Sequence, residues 1–151
     1  MGVLASEQGW TVVNATTSRR SPLSTTSEPV LANRCDPDEL GDVMESTSGR
    51  VLVLIDDLQR VEKADGIEAA LGHRDRMLMV VASSPDFLTG RAGVMRSLPP
   101  MTAGMLLNPT GGLDGGAIGL RRIPQEWTSD SRAGRGILAV AGEPSHIQVP
   151  T

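Results

Sequence analysis

Lysine and large aromatic rings are both scarce in this chain. Its 151 residues include no tyrosine, and Trp10, Phe87 and Trp127 are the only large rings. A core must therefore be assembled from Val, Leu, Ile, Met and Ala, with few bulky anchors. The 39% hydrophobic content is still ordinary for a globular protein, and the length suits a single domain spanning residues 1–151. Of the 14 basic residues only Lys63 is a lysine, and it follows Val61-Glu62. That excludes a phosphate-binding G-x-x-x-x-G-K-[ST] loop, whose lysine must follow a glycine.

Other absences narrow the class further. Cys35 is the only cysteine, so there is no internal disulfide, CxxC pair or Cys/His zinc cluster. A reducing, cytoplasmic setting is the expectation. No apolar run approaches the roughly 20 residues that span a bilayer, which argues against direct membrane insertion. A net charge of -4 argues against a protein that coats nucleic acid, because phosphate binding depends on clustered Lys and Arg. Two short patterns, Gly2 to Ser6 for myristoylation and Asn14-Ala15-Thr16 for glycosylation, lack any second membrane or secretory signal and are read as chance matches.

What is present is a succession of short apolar runs. Trp10 to Ala15 predicts a first strand, entered from a helix tail that ends at Gly9. Residues 16–29 are rich in Ser, Thr, Arg and Pro and read as a loop. Asp36-Pro37-Asp38-Glu39 has the chemistry of a helix start: a capping acid, proline at the first helical position, then acids in the first turn. A short helix to about Ser46 follows. Val51 to Ile55 is apolar throughout, the signature of a strand buried on both faces, and it stops abruptly at Asp56-Asp57.

Leu58 to Leu71 allows a helix, with Gly66 as a point of interruption and Gly72 as its end. Met77 to Ala82 is a second buried strand leading into Ser83-Ser84-Pro85. Strand, helix and strand in succession predict an α/β fold with a mostly parallel sheet. Downstream, a helix is expected over 86–96 and a further strand over Gly104 to Asn108, closed by Pro109. A glycine-dense flexible loop is expected over 110–117. A C-terminal β-hairpin pairs residues 137–142 with 146–149 through Glu143-Pro144-Ser145.

An apolar strand that ends in acids can hold a metal ion beside phosphate, because the strand fixes the carboxylate. Asp56 is the candidate metal ligand, and Asp57 the candidate that orients or deprotonates water. The competing reading of such an acid is a helix cap at a strand end.

The order of these segments resembles the FtsK/SpoIIIE-type motor ATPases, especially the later, degenerate ATPase modules of type VII secretion proteins. The resemblance rests on Gly9-Trp10-Thr11-Val12-Val13 with Ser18-Arg19-Arg20-Ser21-Pro22-Leu23, on Val51 to Asp57, and on Val80-Val81-Ala82-Ser83-Ser84. It continues through Gly104 to Pro109, Gly119-Leu120-Arg121-Arg122-Ile123-Pro124, Ala133-Gly134-Arg135-Gly136 and Ile147-Gln148-Val149.

It implies an incomplete RecA-like P-loop NTPase core with ATP and Mg2+ as cofactors, Asp56 on the metal and Asp57 as a Walker B-type catalytic acid. Ser83 or Ser84 would contact the γ-phosphate or the attacking water. Arg96 or Arg135 would stabilise charge across a subunit interface, Arg135 the better candidate between Gly134 and Gly136, which permit close backbone approach to a ligand. Serine pairs also cap strand ends, and arginines most often make surface ion pairs. In the family's layout Gly2 to Gly9 follows the phosphate-binding loop, so the chain is expected to begin just beyond it. The strand before that loop would lie between Met77–Ala82 and Gly104–Asn108, and its loss would leave a gap in the sheet.

Three functions remain open at this point. The first is a truncated motor module, a nucleotide-site remnant used for docking or regulation and not an active ATPase alone. The second is a half-site completed by another ATPase subunit in a ring or secretion complex that translocates DNA or protein, reaching the membrane only through such a partner. The third is an α/β ligand-binding module unrelated to ATPases, with its site at the strand ends around Asp56 and Ser83.

Overall fold

A computed structural model describes residues 7–17, 33–84, 87–88, 93–107, 109, 111, 114–128 and 135–148. The expected loop lies outside them from residue 18 to 29, as does Gly134. The architecture is α/β, with one parallel and one antiparallel sheet. Where composition suggests one domain, the chain falls into two compact units, Met1–Ser84 with Ala92–Leu98, and Pro85–Arg91 with Pro99–Thr151.

The first unit is built on a four-stranded sheet. Its strands are β1 (Thr11–Ala15), β2 (Arg34–Cys35), β3 (Val51–Ile55) and β4 (Met77–Val81), in the order β2-β1-β3-β4. Every neighbouring pair is parallel. β3 is an inner strand, with Val51 paired to both Thr11 and Met77 and Ile55 to both Ala15 and Val81. Val51, Leu52, Val53 and Ile55 are all buried, so both faces of the strand are covered as its unbroken apolar run predicts. Gly9, which precedes β1, has φ +79, the left-handed conformation expected where a helical turn ends on glycine.

Asp36 caps the following helical segment as its sequence predicts. Its carboxylate accepts from the Asp38 amide at 3.2 Å, and the Glu39 carboxylate accepts from the Asp36 amide at 3.1 Å. The first turn, Pro37–Glu39, is a 3-10 helix that runs into α1 (Leu40–Ser46). The far end of α1 is satisfied by Arg76, whose guanidinium donates to the carbonyls of Met44, Thr47 and Gly49. A cation there complements both the orphan carbonyls and the negative end of the helix dipole. The same arginine immediately precedes β4, so the clamp ties helix end to strand start.

The helix expected over 58–71 is broken differently from the sequence reading. Leu58–Arg60 is a 3-10 turn, residues 61–64 are irregular, and α2 occupies Asp65–Leu71. Gly66 lies inside α2 and does not interrupt it. A Cβ on Gly66 would stand 2.2 Å from the Pro37 carbonyl oxygen and 2.5 Å from that of Asp38, so the glycine marks a close backbone crossing. Of the helix expected over 86–96, the described residues show helix at 87–88 and a 3-10 turn at Gly93–Arg96. The Ser97 hydroxyl holds that turn to Glu68 of α2.

The second unit contains β5 (Ala103–Leu107), β6 (Arg135–Val140) and β7 (Glu143–Gln148), ordered β5-β6-β7 and antiparallel throughout. The strand expected near Gly104 is therefore real, but it pairs with β6 and not within the parallel sheet. A short apolar run carries no mark of strand direction, which explains the misreading. Leu106, Ile137 and Ala139 pack on Ile118, Leu120 and Ile123, with Trp127 against the cluster. Within the glycine-dense stretch, Asp114–Ile118 forms a 3-10 turn. Trp127 belongs to the single-turn helix α3 (Gln125–Thr128), and its ring stacks on His146 at 5.3 Å.

The C-terminal hairpin forms with a different turn from the one expected. Ala141 and Gly142 make the connection at φ +51 and +84, the two positive values of a two-residue hairpin turn. Glu143, Pro144 and Ser145 belong to β7 itself, pairing with Val140, Ala139 and Leu138. Pro144 is tolerated because β7 is an edge strand among the described residues.

β3 has strands on both sides, whereas β5 has one among the described residues. Amide hydrogen exchange in the isolated chain is expected to be clearly slower over Val51–Ile55 than over Ala103–Leu107. Equal protection of the two strands would contradict this order of stability.

Candidate functional site

Candidate site residues converge at the carboxyl ends of β3 and β4, the end of a parallel sheet where ligands of α/β proteins usually bind. The two strand ends are stitched together by the Ala82 amide, which donates to the Ile55 carbonyl at 2.8 Å, and the Leu58 amide, which donates to the Ala82 carbonyl at 3.1 Å. Leu58 is buried and anchors the turn that carries the acids. Asp56 and Asp57 are half-buried just beyond β3, and the Asp56 amide donates back to the Ala15 carbonyl at the end of β1.

Asp57 has φ 54 and ψ 44, a left-handed conformation that few residues other than glycine adopt without strain. Asp tolerates it better than most, because a short polar side chain can bond locally. Here Gln59 donates from Nε2 to Asp57 Oδ1 at 3.1 Å, and Arg60 Nε lies 3.6 Å from Oδ2. The Arg60 side chain is mostly exposed, so that ion pair adds little.

Gln59 also reaches β4. Its Oε1 accepts from the Ser83 hydroxyl at 2.6 Å, so one amide side chain joins Asp57 to Ser83. The chain of donors has a fixed sense. The Gln59 amide gives Nε2 to the Asp57 carboxylate, which leaves Oε1 for the serine proton. The structure thus brings together Asp57 and Ser83, two of the residues singled out by sequence, through a third that sequence reasoning missed. A glutamine two positions after an acid carries no motif, and only the 3-10 turn at Leu58–Arg60 swings it over the end of β4.

The remaining candidates lie elsewhere. Ser84 is exposed just beyond Ser83. Arg96 is exposed on the Gly93–Arg96 turn of the first unit. Arg135 and Gly136 open β6 in the second unit, Arg135 half-buried and Gly136 buried. A Cβ on Gly136 would meet the Leu106 carbonyl oxygen at 2.7 Å, so strand packing already accounts for that glycine. Gly134 lies outside the described residues. Asn14 is the one fully buried polar side chain among the described residues, held within β1, which leaves no access for a glycan.

Two carboxylates at a strand end are ordinary magnesium ligands when phosphate oxygens and water complete the shell. Among the described residues no three His, Cys, Asp or Glu side chains cluster as a metal site by themselves. Nothing in the sequence supplies the fixed cation and glycine loop that would hold a triphosphate. The residues present therefore do not form a complete site for ATP. Compared with known proteins, the chain matches no family model, no curated protein and no solved structure.

Cys35 at the end of β2 is a half-buried free thiol. Burial, with the Glu39 and Asp36 carboxylates beside it, pushes its pKa up to about 11. A group whose folded pKa is raised stabilises fully below its unfolded pKa and loses that contribution as pH climbs through the folded value. The stability of the wild-type chain is therefore expected to fall between about pH 9 and about pH 11 more steeply than that of Cys35→Ser, as read by denaturant unfolding at each pH. Equal slopes would contradict the assignment.

The left-handed backbone gives a second test. Asp57→Gly and Asp57→Ala both lose the carboxylate contacts, but only glycine accepts φ 54 freely. The glycine variant is expected to be more stable than the alanine variant by about 1 kcal/mol in chemical unfolding. An alanine variant as stable as the glycine one would contradict it.

Proposed function

We propose that this chain is a nucleotide-site remnant of an FtsK/SpoIIIE-type motor module, similar to the later modules of type VII secretion proteins, acting by docking or regulation and not by turning over ATP alone. The observation that carries the reading is the Gln59 bridge. Asp57 and Ser83, the acid and hydroxyl that a working site would present to water or phosphate, are tied to the same side chain. Their hydrogen bonds hold the ends of β3 and β4 together. The single-lysine sequence points the same way, since no loop in it neutralises a triphosphate.

On this reading the RecA-like core survives as architecture, with Asp56 retained at the metal position and Mg2+ and ATP as the cofactors the site once served. Its partners would be ATPase subunits of a cytoplasmic ring or secretion complex. A second reading is a half-site to which such a subunit lends the phosphate-binding loop. It draws on the left-handed backbone at Asp57, because strain of this kind concentrates at functional sites.

Titration of the purified chain with Mg-ATP separates the two. The docking reading expects affinity no tighter than the millimolar range and turnover far below the 1–100 s⁻¹ typical of kinases. What affinity there is should be lost in Asp56→Ala. Tight binding that survives both Asp56→Ala and Asp57→Ala would remove the Walker B assignment, and efficient hydrolysis by the chain alone would remove the docking reading.

A further inference from the structure

We draw no further inference here: the strongest candidate, the apolar face of the antiparallel sheet on which Met105 and Leu107 of β5 and Val140 of β6 lie together, carries none because nothing in the structure shows what covers it.

Discussion

The burial of β3 on both faces and both edges is the constraint to which the first unit answers. A strand of Val51-Leu52-Val53-Leu54-Ile55 exposes no polar side chain, so it is stable only where neighbours take up its backbone groups and packing covers its surfaces. β1 and β4 do the first. Once β3 is fixed, Asp56 and Asp57 have one place to go, the carboxyl end of the sheet. The turn after them is then set by its own bonds to Ala82, which is why the end of β4 becomes part of the same site.

That geometry changes the meaning of the acid pair. An acid at the end of a strand can serve a metal or cap local structure, and the two uses compete for the same lone pairs. At Asp57 the local use is visible: a left-handed backbone, an amide donor on one oxygen and a guanidinium near the other. Gln59 occupies one acceptor site on Oδ1 of Asp57 and, through its other end, restrains Ser83. One amide side chain therefore links the acid after β3 to the hydroxyl after β4.

Much of the first unit was legible in the sequence, for identifiable reasons. β1, β3 and β4 are apolar runs bounded by glycine, acids or serine, and the capping box at Asp36 is spelled out by the residues that form it. What could not be read depends on contacts between distant segments. β2 is two residues whose strand character comes entirely from lying beside Asn14 and Ala15. Gly66 looks like a helix breaker until the carbonyls of Pro37 and Asp38 are seen to need its missing Cβ. β5 reads as one more strand of a parallel sheet because direction is a property of the partner, and the partner is β6. Gln59 was invisible for the same reason, since its significance is a hydrogen bond to a residue 24 positions away.

The edges of the two sheets carry the argument one step further. Proline and charge on β7 and the brevity of β2 show that two edges of this chain are closed to pairing by means available in its own sequence. The same means are missing from β4 and also from β5, where Met105 and Leu107 are 54% and 47% exposed. β5 also includes Gly104, where a Cβ would stand 2.6 Å from the Ile118 side chain, so the packing of Ile118 on the sheet, and not protection of the edge, sets the residue at that position.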